Sequence, residues 1–280
     1  MILSSVEQSI KAKIEQIGTP LKDWDVHIYR GILTGCNEAF IVNEERRREI
    51  LDWCQSDAEW KRTDAIIRPI LRGRDIKRYG YDWNGLYLIA THNGMPEKGI
   101  SRIDVRNYPA IKRHLDQYWT QISTRADQGD TPYNLRSCAY MDDFSKQKLL
   151  WAELVRTGNA FVADKDGYMV GNTGYILTTT DHPERTIPHL LGVLNSKIML
   201  YYLDQISTKM DVTGWRWLRQ HVELLPIAPL QSSRDFESLV SQTSSENQQQ
   251  NKKRLDDCVA KMYGLTTAEM EFIRAKTGNF

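Results

Sequence analysis

Apolar residues near the start of the chain recur at spacings of three and four, with charged residues between them. This pattern predicts a helix over residues 3–17, ended by Gly18 and Pro20. Its apolar positions are Leu3, Val6, Ile10, Ile14 and Ile17. A helix with one apolar face needs a surface that covers it.

Short apolar stretches rich in β-branched and aromatic residues recur along the rest of the chain and predict strands. They are residues 26–33, 39–42, 65–71, 86–90, 148–155, 160–170 and 174–180. Three further segments have helical patterns. They are residues 44–54 with Asn43 as the N-cap, 108–124 with Pro109 in the first turn, and the mostly apolar 187–206.

The order of these elements predicts an α+β fold with a mixed β-sheet, core helices and a helical C-terminal tail. The segment VELLPIAPL, which contains two prolines, is expected to close the main domain. Three parts are therefore predicted: residues 1–20, 21–230 and 231–280. The tail's candidate apolar positions are Phe236, Leu239, Val240, Leu255, Val259 and Met262.

The composition, 41% hydrophobic and 26% charged residues, is that of a folded globular protein. The longest apolar runs are far shorter than the roughly 20 residues of a membrane span. The chain does not open on a secretion signal, so a cytoplasmic location without membrane contact is expected. Its four cysteines form no CxxC pair, so neither a zinc site nor a disulfide framework is predicted.

The net charge of the chain is only +1, but its cations are concentrated. Residues 61–78 contain seven Lys or Arg residues and two aspartates, for a net charge of +5. Attraction to phosphate falls off over roughly 8 Å at physiological salt, so a local cluster can hold a polyanion on a nearly neutral protein.

The densest part of that cluster is LRGRDIKRYG, residues 71–80, with Arg72, Arg74, Lys77 and Arg78. One interpretation is a phosphate clamp, because arginine binds phosphate through two parallel hydrogen bonds and Gly73 lets backbone NH groups approach an anion. The other is a solvated hairpin in which the arginines pair with Asp75 and nearby acids. Both interpretations can apply to the same turn.

Signatures of catalysis are scarce. The sequence contains no GxxxxGK[ST], HExxH or GxSxG motif, and no cofactor is predicted for this chain. A weak pattern of Asp64 followed by Asp75 and Lys77 is typical of nucleases in which two carboxylates hold Mg²⁺ and a lysine supports the attacking water. A magnesium-dependent nuclease is therefore one alternative.

Five stretches together resemble a known family. They are GTPLKDWDVHIYRGILTGCNEAFIV, IIRPILRGRDIKRY, YNLRSCAYMDDFSKQKLLWAEL, LLGVLNSKIMLYYL and VELLPIAPL, in that order. They resemble the TaqI-like C-terminal specificity domain, or target-recognition domain, of type IIG restriction-modification enzymes. The resemblance covers about residues 3–230.

The resemblance implies that this chain is the C-terminal piece of a larger polypeptide. An adenine methyltransferase domain, and often a nuclease domain, would precede it and use S-adenosylmethionine and Mg²⁺. The chain itself would bind double-stranded DNA, position it for adenine N6 methylation and cleavage, and catalyse nothing alone. The helix over residues 3–17 would connect to the methyltransferase domain, which would explain an apolar face without an obvious partner.

Phosphate contacts set the position of a protein on DNA, whereas contacts to base edges carry the sequence information. We assign the four cations of the 71–80 stretch to phosphates. Two polar loops are candidates for base contacts: residues 207–217, with Lys209, Asp211, Thr213 and Arg216, and residues 123–136, with Arg125, Gln128, Asn134 and Arg136. The remaining alternative is a protein-interaction scaffold whose helices bind partner subunits.

Overall fold

The computed structural model describes residues 4–156, 158–207, 214–230, 234–243 and 248–278. The α-helices are α1 (Ser5–Ile17), α2 (Asn37–Phe40), α3 (Glu44–Asp52), α4 (Asp57–Ile66), α5 (Pro109–Asp116), α6 (Trp119–Ile122), α7 (Pro183–Leu194), α8 (Lys197–Ile206), α9 (Arg219–Val222), α10 (Arg234–Gln242), α11 (Gln248–Met262) and α12 (Thr267–Thr277). Short 3-10 helices span Leu21–Asp23, Gly73–Asp75, Pro96–Lys98, Val105–Asn107 and Met141–Ser145.

The strands are β1 (Thr19–Pro20), β2 (Val26–Arg30), β3 (Ile41–Asn43), β4 (Ile67–Leu71), β5 (Ile76–Lys77), β6 (Gly80–Tyr81), β7 (Leu86–Ile89), β8 (Lys148–Ala152), β9 (Leu154–Val155), β10 (Phe161–Asp164), β11 (Met169–Val170), β12 (Gly174–Thr179), β13 (Trp215–Arg216) and β14 (Pro226–Ile227). Two four-stranded sheets have the orders β10-β8-β12-β2 and β11-β4-β7-β3.

The sheet β10-β8-β12-β2 is antiparallel and lies at the centre of the protein. Successive side chains of a strand point to opposite faces, and here both faces are buried. Leu149, Trp151 and Leu177 enter one hydrophobic core, whereas Leu150 and Ile176 enter a second. This placement explains why β8 and β12 carry consecutive apolar residues, 149–152 and 175–177, instead of an alternating pattern.

The first core is formed mainly by helices, including α1, α7, α8 and the C-terminal helices. Within α1, Ile10 and Ile14 are fully buried, and Ser9 and Lys13 both donate hydrogen bonds to Glu269 of α12. The chain itself therefore covers the middle of the apolar face of α1, whereas Val6 and Ile17 at its two ends are 40% and 41% exposed. The expectation of an apolar face without a partner was wrong for Ile10 and Ile14, and a role as a connector stays a prediction.

The second core lies between the central sheet and the sheet β11-β4-β7-β3. In the latter sheet β11 pairs with β4 in parallel, whereas the other neighbours are antiparallel. Helices α3 and α5 bury Ile50, Ile111 and Leu115 in the same core. The predicted α+β class with a mixed sheet and core helices is confirmed.

Several predicted elements have different bounds because tertiary contacts intervene. The predicted helix 187–206 divides into α7 and α8, since Asn195 bonds the edge of the central sheet: its Oδ1 accepts from the Phe161 NH at 3.0 Å and its Nδ2 donates to the Phe161 carbonyl at 2.9 Å. Ser196 then caps α8. The predicted helix 108–124 is interrupted between α5 and α6. Helix α4 occupies residues 57–64, for which the pattern predicted no element, and takes in residues 65 and 66, predicted as the start of a strand.

The C-terminal helices are part of the first core. Phe236, Leu239, Val240, Leu255 and Val259 are buried as predicted, and Met262 is partly buried. The boundaries at residues 20 and 230 stay predictions, because the core runs across both. None of the helices in the described parts of the chain is long and apolar enough to cross a membrane.

Candidate nucleic-acid interface

Three chain segments meet at one end of the two sheets: the end of β2, the end of β4 and the turn between β11 and β12. The NH of Gly31 donates to the carbonyl of Gly174 at 2.9 Å, and the NH of Gly171 donates to the carbonyl of Leu71 at 2.9 Å. A Cβ atom on Gly31 would lie 2.1 Å from the carbonyl oxygen of Gly171. Glycine at position 31 is therefore what lets the segments approach so closely.

Arginines surround this junction. Arg30 donates through Nε to the carbonyl of Asn172 at 2.8 Å and through Nη2 to Glu153 at 2.9 Å, and its side chain is 56% exposed. Arg74 is exposed, and its side chain makes no hydrogen bond or ion pair within the described residues. Together, Arg30, Arg72 and Arg74 place three guanidinium groups at one site.

Arg72 is held in place by the aspartate of the same turn. Its Nε and Nη2 each donate to Asp75 at 3.0 Å, and its backbone NH donates to the same carboxylate at 2.8 Å. Asp75 is only 2% exposed, and burial alone would raise its pKa, but the hydrogen bonds from Arg72 bring the pKa below its ordinary value. Asp75 is therefore ionised at neutral pH and fixes the orientation of Arg72.

The three arginines line a cleft of about 480 Å³, together with Gly73, Gly171, Asn172 and Thr173. A neighbouring cleft of about 390 Å³ shares Arg30 and Asn172 and adds Arg136 to its wall. Among the described residues of these walls the acidic one is Glu153, which is paired with Arg30. Cations gathered in a cleft with low-dielectric walls focus their field and attract anions.

The other two cations of the 71–80 turn differ from Arg72 and Arg74. Lys77 is exposed and donates to the carbonyl of Arg74 at 2.7 Å. Arg78 is partly buried and donates through Nη2 to the carbonyl of Asn195 at the end of α7. The turn therefore shows the predicted local pairing of Arg72 with Asp75, and Arg78 is engaged with the helical core. Phosphate binding by these cations stays a prediction.

The loop 123–136 is built around a buried arginine. Arg125 is 8% exposed, and its guanidinium donates to the carbonyls of Thr34, Pro132 and Asn134. Asn134 is 1% exposed and donates to the carbonyl of Ile103 at 2.9 Å. These side chains hold the loop together and are not accessible to a base edge, which corrects the sequence prediction for Arg125 and Asn134.

The other candidates of this loop stay near the surface. Gln128 is partly buried and donates to the carbonyl of Ser123 at 2.9 Å. Arg136 is exposed, pairs with Asp127 at 3.2 Å and faces the smaller cleft. A base contact by either residue stays a prediction.

In the loop 207–217, Lys209, Asp211 and Thr213 lie outside the described residues. Arg216 is described and lies in β13, which pairs with β9 so that Arg216 is directly opposite Leu154. Leu154 is part of the wall of the larger cleft. The pairing of β9 with β13 therefore places Arg216 beside a residue of the cleft wall.

The nuclease pattern is not favoured by the geometry. Asp64 forms an ion pair with Arg47 at 2.5 Å, and the carboxylate of Asp75 is bonded by Arg72 and by Asn84 at 2.9 Å. No three His, Cys, Asp or Glu side chains of the described residues lie close enough together to hold a metal ion. The Asp64 and Asp75 carboxylates are thus each engaged by an arginine.

Sequence reasoning missed Arg30 and Asn172, although both are central to the cleft. Arg30 belongs to the stretch VHIYRGIL, where a cation follows an apolar strand and precedes a glycine. That order was a usable signal, because a polar residue at the end of a strand beside a close backbone approach often faces a ligand. Asn172 had no such signal, since it contributes its backbone carbonyl to Arg30.

The chain has informative similarities to known proteins. A family profile described as the TaqI-like C-terminal specificity domain matches residues 68–227. The type II methyltransferase M.BstVI of Geobacillus stearothermophilus is 23% identical over 261 residues, which cover 91% of this chain and 42% of that protein. The type IIL restriction-modification enzyme MmeI, solved in complex with DNA, has a similar fold with a TM-score of 0.62 and 11% identity, covering 93% of this chain and 37% of that chain.

The chain thus spans less than half the length of either relative. The matched segment contains most of the cleft, from Arg72 and Arg74 to the β11–β12 turn and Leu154. It covers more than half of the 280 residues. This protein therefore belongs to the family of TaqI-like C-terminal specificity domains, found in restriction-modification enzymes.

Proposed function

We propose that this chain binds double-stranded DNA and selects a particular base sequence for a larger restriction-modification polypeptide. The observation that carries the proposal is the cleft with Arg30, Arg72 and Arg74 on its walls. Among the described residues of its lining a single one is acidic, Glu153, and it is already paired with Arg30. In the parent protein, adenine N6 methylation and cleavage would belong to domains outside this chain, and so would S-adenosylmethionine and Mg²⁺.

The cleft suits a DNA backbone. A guanidinium group offers planar pairs of NH donors that match a phosphate, and Asp75 already fixes one such group while leaving Arg72 at the cleft wall. We assign Arg30, Arg72 and Arg74 to phosphate contacts, with Lys77 as an exposed neighbour. Arg78 would contribute through its charge, because its guanidinium is bonded to Asn195.

Base reading is assigned to side chains that remain accessible near the cleft. Arg136 lines the smaller cleft, and Arg216 comes from the strand opposite Leu154. Gln128, which is partly buried, comes from the same loop as Arg136. Arginine can donate two hydrogen bonds to guanine O6 and N7, and glutamine can pair with adenine. Lys209, Asp211 and Thr213 complete the proposed reading set.

The test is selection of bound duplexes from a randomised library by the purified chain at low and at physiological salt. The expected result is enrichment of one sequence and a steep loss of affinity with salt. The variant Arg30→Ala/Arg74→Ala should bind cognate and random duplexes more weakly by similar factors. Its matched control is Arg48→Ala/Arg106→Ala, which removes two exposed arginines that line neither of the two clefts. Enrichment of no sequence, or equal binding by the two double variants, would contradict the proposal.

A further inference from the structure

Leu154 is the most exposed large hydrophobic side chain in the described parts of the chain, at 50%. A single exposed leucine is ordinary on a protein surface and needs no explanation by itself. This one, however, lies in the wall of the larger cleft together with Arg30, Arg72 and Arg74. An apolar side chain among cations that bind phosphate can contact a ligand that has both charged groups and an apolar edge.

The backbone holds Leu154 at this place from both sides. The NH of Glu153 donates to the carbonyl of Thr173 at 3.0 Å, and the carbonyl of Glu153 accepts from the NH of Trp217 at 2.9 Å. The neighbour Val155 is buried in the first core. Because successive side chains of a strand point to opposite faces, burial of Val155 directs Leu154 outward.

The partner strand adds a polar donor beside this apolar group. Leu154 and Arg216 are directly opposite in the pair β9 and β13, and Val155 is opposite Trp215, which packs against the first core. Leu154 and Arg216 therefore share the outer face of a two-stranded ribbon. The major groove of DNA is wide enough to admit a two-stranded β-ribbon.

We infer that Leu154 is a specificity-determining residue that contacts the 5-methyl group of a thymine in the major groove. Thymine is the base whose major-groove edge carries a methyl group, and apolar side chains recognise it there. The arginines of the cleft hold the phosphates, and the ribbon carries Leu154 to the base edges. The inference rests on the proposed function and names one of its reading residues.

The experiment replaces each thymine of the selected duplex, one at a time, by deoxyuridine. Deoxyuridine lacks only the 5-methyl group and keeps the charge and the pairing edge. At one position the wild-type chain should lose about fourfold in affinity, which corresponds to the roughly 0.8 kcal/mol of burying one methyl group. Leu154→Ala should bind the thymine duplex more weakly than the wild type does, by a similar factor. It should bind the thymine duplex and the deoxyuridine duplex with equal affinity.

The controls separate this inference from the proposed function. Leu224→Ala removes another exposed leucine, 45% exposed, which lies in neither of the two clefts, and should keep the sensitivity to deoxyuridine. The unfolding midpoints of Leu154→Ala and Leu224→Ala should both equal that of the wild-type chain. If the chain selects a sequence but the wild type and Leu154→Ala respond alike to deoxyuridine at every position, the role of Leu154 is overturned and the proposed function stands. If no sequence is selected, both are overturned.

Discussion

The turn after β4 and the loop between α6 and β8 are both rich in arginine and polar residues, and the sequence predicts DNA contacts for both. In the turn, Arg72 and Arg74 lie at the wall of a cleft. In the loop, Arg125 is buried and donates to three main-chain carbonyls. An arginine side chain thus lines an open cleft in one region and holds the fold together in the other.

The difference comes from the acceptors that each region offers. Around Arg125 the chain supplies bare carbonyls from residues 34, 132 and 134, and no carboxylate is bonded to it within the described residues. Beside Arg72 a single buried carboxylate fixes the guanidinium at the cleft edge. A guanidinium surrounded by carbonyls becomes part of the core, whereas one bound on one side keeps donors for a ligand.

The largest expected effect is on the stability of the loop. Arg125→Met keeps the volume but removes the donor to the carbonyls of Thr34 and Pro132 and leaves the carbonyl of Asn134 with the NH of Gly129, so the free energy of unfolding should fall by about 3 kcal/mol. Urea denaturation followed by tryptophan fluorescence measures it. Arg136→Ala, an exposed position of the same loop, is the matched control and should change stability by no more than about 0.5 kcal/mol. Equal losses in the two variants would remove the contrast between the regions.

An intermediate effect is expected for the carboxylate that orients Arg72. Asp75→Asn should lower the free energy of unfolding at neutral pH by about 1 to 2 kcal/mol, because the buried ion pair and its hydrogen bonds weaken. It should also reduce DNA affinity, since Arg72 loses its fixed orientation. Asp64→Asn, whose pair with Arg47 lies nearer the surface, should cost about 0.5 kcal/mol and leave DNA binding unchanged.

The pH dependence gives an independent check on Asp75. Its folded-state pKa lies below the ordinary value, so its contribution to stability is present above the unfolded pKa, about 3.9, and is lost as the pH falls through the folded pKa. The wild-type chain should therefore lose stability more steeply than Asp75→Asn as the pH is lowered below about 4. Parallel curves for the two proteins would show that Asp75 is not held ionised by Arg72.

The smallest effect on stability is expected for the exposed arginine of the turn. Arg74→Ala should leave the free energy of unfolding within about 0.5 kcal/mol of wild type. The variant should bind cognate and random duplexes more weakly by similar factors. The slope of log affinity against log salt should fall by about 0.9, as expected for one lost phosphate contact. Arg48→Ala should leave the slope unchanged. An unchanged slope for Arg74→Ala would show that this arginine faces solvent and contacts no phosphate.

The hydrophobic pattern was sufficient for most elements of the fold. The mainly apolar stretches of β8 and β12 predicted strands, and their burial on both faces explains their composition. The pattern failed where a tertiary hydrogen bond competes with helix propensity, as at Asn195, whose side chain bonds Phe161 and separates α7 from α8. A contact between residues 34 positions apart leaves no periodic signal in the sequence.

For the site, the sequence determined the positions of the cations, the aspartate of the turn and the family to which the chain belongs. Only the tertiary structure decided that Arg30 joins Arg72 and Arg74, that Arg125 is buried and that Leu154 stands among the cleft arginines. The physical reason is that hydrophobic periodicity is a local property of the chain. The direction of a long polar side chain depends on which carbonyls and carboxylates distant segments bring within about 3 Å of it.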